Sequence, residues 1–303
     1  MAVRGGHLGA LGLVVAMSLA ACGGGEAIVE PIVPPTVDAC SAGALEAGQV
    51  AEGTFSATSC TVPFHFVSRT VTPYVGYGVS LERGRGYWFH LTKRPDANGL
   101  NEVDALLTLW GEDDAGRQVP LAVSDDAGTG PNFQDAEIYF VAPRSGTFEL
   151  AASSFDLSAL GGYRLSMAEC PVVARLGSAG TYDGLRYGAS DCLRHNMASV
   201  DASSRLALVS IEAAPFEEVR VTVTSNDFFV LTELGGPDFD VYGSVRTSSL
   251  FTSAVGSPAS VLLTTGAVGG TLTLAVGSPF EFEAGDFRVV LARAPLPTPP
   301  AVR

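Results

Sequence analysis

The chain has 303 residues, room for two domains at roughly 150 residues each. Hydrophobic residues make up 47% and charged residues 17%, enough apolar material to build cores and to exclude wholesale disorder. Lys and Arg total 18 against 32 Asp and Glu, a net charge of -14, with Lys93 the one lysine. A phosphate backbone needs clustered cations, so no nucleic-acid partner is expected.

In chain order, the first feature is LGALGLVVAMSLA at Leu8–Ala20, behind Arg4. A spanning helix needs about 20 apolar residues; this stretch is shorter and has the length of a signal-peptide core. It ends in Leu19-Ala20-Ala21-Cys22, followed by Gly23-Gly24-Gly25. That tetrapeptide resembles the lipobox of bacterial lipoproteins. The resemblance implies cleavage before Cys22, diacylation of its thiol and acylation of the new amine. Several acyl chains, each contributing about 0.8 kcal/mol per buried methylene, anchor a protein without a spanning helix. An ordinary cleaved signal with a chance cysteine is the competing reading.

Gly23 stands where an aspartate resembles an inner-membrane retention signal, so the expected destination is the outer membrane of the cell envelope. Residues 1–21 thus read as a lipoprotein signal peptide. Residues 22–38 read as a flexible tether, with Glu26, Glu30, Pro31, Pro34 and Pro35. Fully stretched, fifteen such residues reach roughly 50 Å.

Beyond Cys22 the cysteines are Cys40, Cys60, Cys170 and Cys192, an even count for an export compartment that permits disulfides. The text between them repeats. AGQVAEGTFSATSC ends at Cys60 and AGTYDGLRYGASDC ends at Cys192. GTFELAASSF from Gly146 matches GTLTLAVGSPF from Gly270, and GGYRLSM from Gly161 matches AGDFRVVL from Ala284. Two copies of one unit therefore fill the chain at 39–169 and 170–294, ahead of a proline-rich tail at 295–303. Of three allowed pairings, the local ones, Cys40–Cys60 and Cys170–Cys192, are expected. Each closed loop contributes about 3 kcal/mol in the chain-entropy model.

Strands are expected in the first copy at Tyr87–Thr92, Ala105–Trp110, Val119–Val123, Glu137–Val141, Gly146–Ala152 and Tyr163–Met167. In the second they are expected at Leu206–Ile211, Val219–Thr224, Phe228–Thr232, Phe239–Tyr242, Val261–Thr265, Thr271–Val276 and Phe287–Ala292. Turn clusters such as Glu112-Asp113-Asp114-Ala115-Gly116 punctuate them. Short strands at this spacing, with no helical period, point to all-β sandwiches or barrels.

The elements from Tyr87 to Met167 also carry a resemblance. They include Asp104-Ala-Leu-Leu-Thr-Leu109, Asp125-Asp126-Ala-Gly128-Thr-Gly130, Phe140-Val-Ala-Pro-Arg-Ser-Gly-Thr-Phe148 and Gly161-Gly-Tyr-Arg-Leu165. In this order they resemble the bacterial prepeptidase C-terminal (PPC) domain. The second copy keeps Asp238-Phe-Asp-Val-Tyr242, Gly270-Thr-Leu-Thr-Leu274 and Gly285-Asp-Phe-Arg-Val289 but lacks the paired aspartates. The resemblance implies two tandem jelly-roll-like antiparallel β-sandwiches, of a kind appended to secreted enzymes or repeated in surface proteins, where some relatives bind calcium or polymeric substrates.

Reactive machinery is not legible. Gly78-Val-Ser80-Leu-Glu82 breaks the G-x-S-x-G pattern at its last glycine. His65, His90 and His195 are far apart, and no dinucleotide fingerprint opens a helix. The acidic loop offers hard oxygen donors for Ca²⁺ from Asp125, Asp126 and Asp135, aided by Asn132 and the Gly128 and Gly130 carbonyls. The competing reading is a turn whose aspartates cap their own backbone. Asp104 and Asp240, which match between copies, read as loop braces. Tyr74, Tyr77, Tyr87, Trp88 and the pair Phe228-Phe229 could stack on sugar faces, although core packing is the commoner fate of such rings.

The expected function is that of a non-catalytic, lipid-anchored envelope protein whose modules serve binding, adhesion or scaffolding. Its partners would be the membrane through the acyl anchor and a polysaccharide or protein ligand. The alternative is an accessory substrate-binding or calcium-dependent module working with a secreted hydrolase.

Overall fold

In the computed structural model the described residues are 40–56, 59–64, 70–94, 103–112, 116, 118–125, 135–155, 160–188, 191–195, 203–235, 250–252, 254–265, 269–278 and 283–295. The signal, the tether and residues 296–303 of the tail lie outside them, as do Cys22, His65 and Asp240, whereas Pro295 closes the last strand.

Ten strands come first: β1 (Ser41–Leu45), β2 (Val50–Phe55), β3 (Cys60–Phe64), β4 (Thr70–Leu81), β5 (Gly86–Lys93), β6 (Ala105–Glu112), β7 (Gln118–Ser124), β8 (Ala136–Val141), β9 (Gly146–Ser154) and β10 (Gly161–Cys170). They make one sheet ordered β1-β4-β9-β6-β7, with β3 also on β4, and a second ordered β2-β10-β5-β8. Ten more follow: β11 (Val172–Leu176), β12 (Gly180–Tyr187), β13 (Cys192–His195), β14 (Ser203–Ala213), β15 (Glu217–Thr224), β16 (Leu231–Gly235), β17 (Leu250–Phe251), β18 (Ala259–Thr264), β19 (Gly270–Gly277) and β20 (Gly285–Pro295). Their sheets run β11-β14-β19-β16-β17, with β13 on β14, and β12-β20-β15-β18. Adding ten to each strand number turns the first pair of sheets into the second. The duplication reaches the irregular details: parallel β1–β4 is matched by parallel β11–β14, each with a register shift after its first pair.

Alternation builds each core. From β4 come Tyr77, Val79 and Leu81; from β5 Phe89 and Leu91; from β9 Phe148 and Leu150; from β10 Leu165 and Met167. The second core draws Val209 and Ile211 from β14, Val219 and Val221 from β15, Leu272 and Leu274 from β19, and Phe287 and Val289 from β20. The Tyr77 and Tyr163 hydroxyls pair at 2.8 Å inside the first core, so neither polar tip is left bare.

A third apolar cluster joins the two sandwiches. Trp88, Cys170, Cys192, Leu206, Leu208, Leu231 and Ala275 are buried together, with Tyr139, Ala168 and Val172 against them. Trp88 alternates with the core residues Tyr87 and Phe89, so it faces the other side of β5; Leu206 and Leu208 likewise flank the core residues Ala207 and Val209 on β14. The four-stranded sheet of the first sandwich thus lies on the six-stranded sheet of the second. The Val141 N–H donates to Thr273 Oγ1 at 2.9 Å, and Arg175 Nη2 donates to the Gly84 carbonyl at 2.8 Å. A single residue, Pro171, separates β10 from β11.

Disulfides join Cys40 to Cys60 and Cys170 to Cys192. The second has a role that spacing did not show. Cys170 is the last residue of β10 in the first sandwich and Cys192 the first of β13 in the second, so this bond crosses the junction.

Two strand expectations need comment. The strand expected at Phe228–Thr232 begins only at Leu231. Ser225 Oγ accepts the Asp227 N–H at 3.1 Å and the Phe228 N–H at 3.4 Å, holding residues 225–228 as a turn that a propensity count misses. The strand expected at Phe239–Tyr242 lies outside the described residues.

Candidate functional site

Of the proposed calcium set, Asp126 lies outside the described residues, along with Gly128, Gly130 and Asn132. Asp125 is exposed just after β7. Asp135, just before β8, places its Oδ2 3.8 Å from His90 Nε2. Among the described residues no three His, Cys, Asp or Glu side chains group to hold a metal ion. His90 itself is buried on β5, its ring stacked on Trp88 at 5.3 Å.

The aromatic candidates are interior residues. Tyr77 and Tyr87 belong to the first core, Trp88 to the junction, Phe228 to the second core, and Tyr74 is also buried. None of these five is an open stacking platform, which corrects the sugar-stacking reading of those rings. The strands that carry the four first-sandwich rings bury side chains on both faces, which alternation alone does not reveal, and Phe228 is buried from a turn.

One buried polar pair escaped the sequence reading. Glu149 on β9 pairs with Gly78 across to β4 and points away from the core, yet is only 8% exposed. Burial pushes its carboxyl up to about 7, because the charged form is disfavoured away from water. Its Oε1 and the Tyr74 hydroxyl lack hydrogen-bond partners. Both crowd the same spot: a Cβ on Gly76 would sit 2.5 Å from Tyr74 Oη and 2.9 Å from Glu149 Oε1. Strand pairing makes Glu149 the counterpart of Thr273, since Gly78 pairs with the former as Ser210 pairs with the latter. Thr273 accepts a backbone N–H across the junction; Glu149 does not.

A polar cleft of about 570 Å³ lies on the second sandwich. Four segments meet there: the irregular part of β12 with Asp183 and Gly184, the end of β15 with Thr224 to Asp227, the Gly256 turn, and β20 with Asp286 to Arg288. Its frame is tied internally. Ser225 is buried, donates to the Asp286 carbonyl at 2.7 Å, and through its own carbonyl accepts the Gly256 N–H at 2.7 Å. Asp227 Oδ2 accepts the Asp286 N–H at 2.8 Å. Arg288 Nε donates to Asp183 Oδ1. Gly184 and Gly256 hold φ of 68° and 84°, conformations that favour glycine at these bends.

Asn226 and Asp286 stand exposed at the cleft, with no hydrogen bond to their side-chain ends among the described contacts. The cleft escapes sequence reading because its polar residues are spread from 183 to 288, and only Asp286 and Arg288 fall in a repeated motif.

No protein-family model matches the chain, and none of the curated proteins does. Among solved structures, the chain is similar to the N-terminal CBM22-1–CBM22-2 tandem domain of Xyn10C from Paenibacillus barcinonensis, at 10% identity over 82% of this chain and 92% of that one, with a TM-score of 0.23. It is also similar to the CUB1-EGF-CUB2 domain of human MASP-1/3, at 10% identity over 80% and 99%, with a TM-score of 0.21. Similarity this low carries no argument about this chain's ligand.

Proposed function

We propose that this chain is a non-catalytic, lipid-anchored protein of the cell envelope, held at the outer membrane by acyl chains on Cys22, whose paired sandwiches serve binding and scaffolding. The observation that carries the reading is the junction. One linking residue, a disulfide, an apolar cluster around Trp88 and two polar cross-links tie the sandwiches face to face. Such a unit suits a stiff arm that holds a binding surface away from its anchor, and hinged domains do not serve that purpose. The lipobox-like Leu19–Cys22 supplies the anchoring half of the proposal, and the PPC-like elements agree with a module that serves without catalysing.

Metabolic labelling with a palmitate analogue tests the anchor. Wild type incorporates label and partitions with membranes, whereas Cys22→Ser does neither; equal labelling of both overturns the anchor. The polar cleft favours a second reading, an accessory substrate-binding module acting beside a secreted hydrolase.

A further inference from the structure

We infer that the cleft formed by Asp183, Asn226, Asp227, Asp286 and Arg288 binds a neutral, hydroxyl-rich ligand, a saccharide chain. The inference rests on the binding reading above and names the ligand class for that cleft.

The chemistry narrows the class stepwise. An apolar ligand is excluded because seven of the ten lining residues are polar or charged, with Phe287 turned into the second core. An anionic ligand is excluded because three carboxylates face one guanidinium. A bare metal ion is disfavoured because Asp183, Asp227 and Asp286 do not group as a ligand set.

A cationic amine meets Arg288 inside the same cleft, while Asp183 is already engaged by Arg288 and one oxygen of Asp227 by the Asp286 N–H. What remains is a mixed array: Asp286 accepts, Asn226 both donates and accepts, and the outer Arg288 nitrogens donate. A hydroxyl is the one common ligand group that donates and accepts at a single atom, and a saccharide offers several at fixed spacing. A volume of about 570 Å³ falls in the usual range of roughly 300–1,000 Å³ for small-molecule sites. The tied frame also limits the ordering cost on binding, because Ser225 and Asp227 already fix the loops.

The test titrates the full-length chain in detergent with cellohexaose, chitohexaose and maltohexaose, and with spermidine and calcium chloride as competing classes, by calorimetry and amide NMR. At least one hexasaccharide is expected to bind and to shift the amides of Asn226, Asp227, Gly256 and Asp286. Asn226→Ala and Asp286→Asn, with unchanged thermal midpoints, should each weaken binding about tenfold, the loss of one charge-assisted or amide hydrogen bond. Binding of no hexasaccharide, sugar binding indifferent to both variants, or binding of spermidine or calcium in place of sugar overturns the inference. Membrane anchoring and labelling at Cys22 are unaffected by any of these outcomes, so the two failures are distinguishable.

Discussion

Glu149 makes stability depend on pH in a direction opposite to that of most carboxylates. Its folded carboxyl titrates at about 7 instead of 4.5 because it is buried with an unpartnered oxygen. Below about pH 4 both folded and unfolded chains hold the proton. Between 4.5 and about 7 the folded chain keeps it and the unfolded chain releases it, so stability falls as pH rises and then levels off. At about 1.4 kcal/mol per pH unit, that span sets a ceiling of about 3 kcal/mol. Glu149→Gln keeps the shape and removes the titration.

In urea unfolding, the variant and wild type should be nearly equal at pH 4, with the variant pulling ahead by up to about 3 kcal/mol at pH 8. Tyr74→Phe serves as the control: it removes the neighbouring bare hydroxyl yet should leave the pH slope intact. A Glu149→Gln curve parallel to wild type from pH 4 to 8 would refute the reasoning.

Three further outcomes follow from the packing. Gly76→Ala drives a methyl against Tyr74 Oη and Glu149 Oε1 and should lower stability by about 1–3 kcal/mol in the same assay; an unchanged midpoint would show that the spot is roomy. Trp88→Ala empties the middle of the junction and should cost about 3–5 kcal/mol, with calorimetry resolving two transitions where wild type shows one. Removing Cys170–Cys192 by a double serine substitution should cost about 3 kcal/mol and expose the junction to protease, whereas the same change at Cys40 and Cys60 should cost a similar amount and leave the junction protected.

The duplication was readable because its marks are chemical. Cysteines recur at nearly equal spacing, and Gly146-Thr-Phe-Glu-Leu150 and Gly270-Thr-Leu-Thr-Leu274 repeat a turn followed by a half-buried strand. Strands β1 to β4 and β11 to β13 went unmarked for the opposite reason. Along β12 only Tyr187 is fully buried, so no alternation shows, and β3 and β4 contain Pro63 and Pro73, which argue locally against a strand.

The junction was half legible. Tyr87-Trp88-Phe89 shows that β5 is apolar on both faces, but what covers the second face is a sheet 120 residues further on. Glu149 was hidden by its own pattern: Phe148-Glu149-Leu150 reads as an ordinary solvent-facing acid between two core residues, and only the fold shows it buried.

The stiff union of the two sandwiches is measured most directly by pulsed electron resonance between nitroxides at the exposed Thr147 in the first and Ala292 in the second. A single narrow distance distribution, unchanged by temperature and broadened by Trp88→Ala, is the predicted result. A broad or multimodal distribution in the wild-type chain would contradict the account.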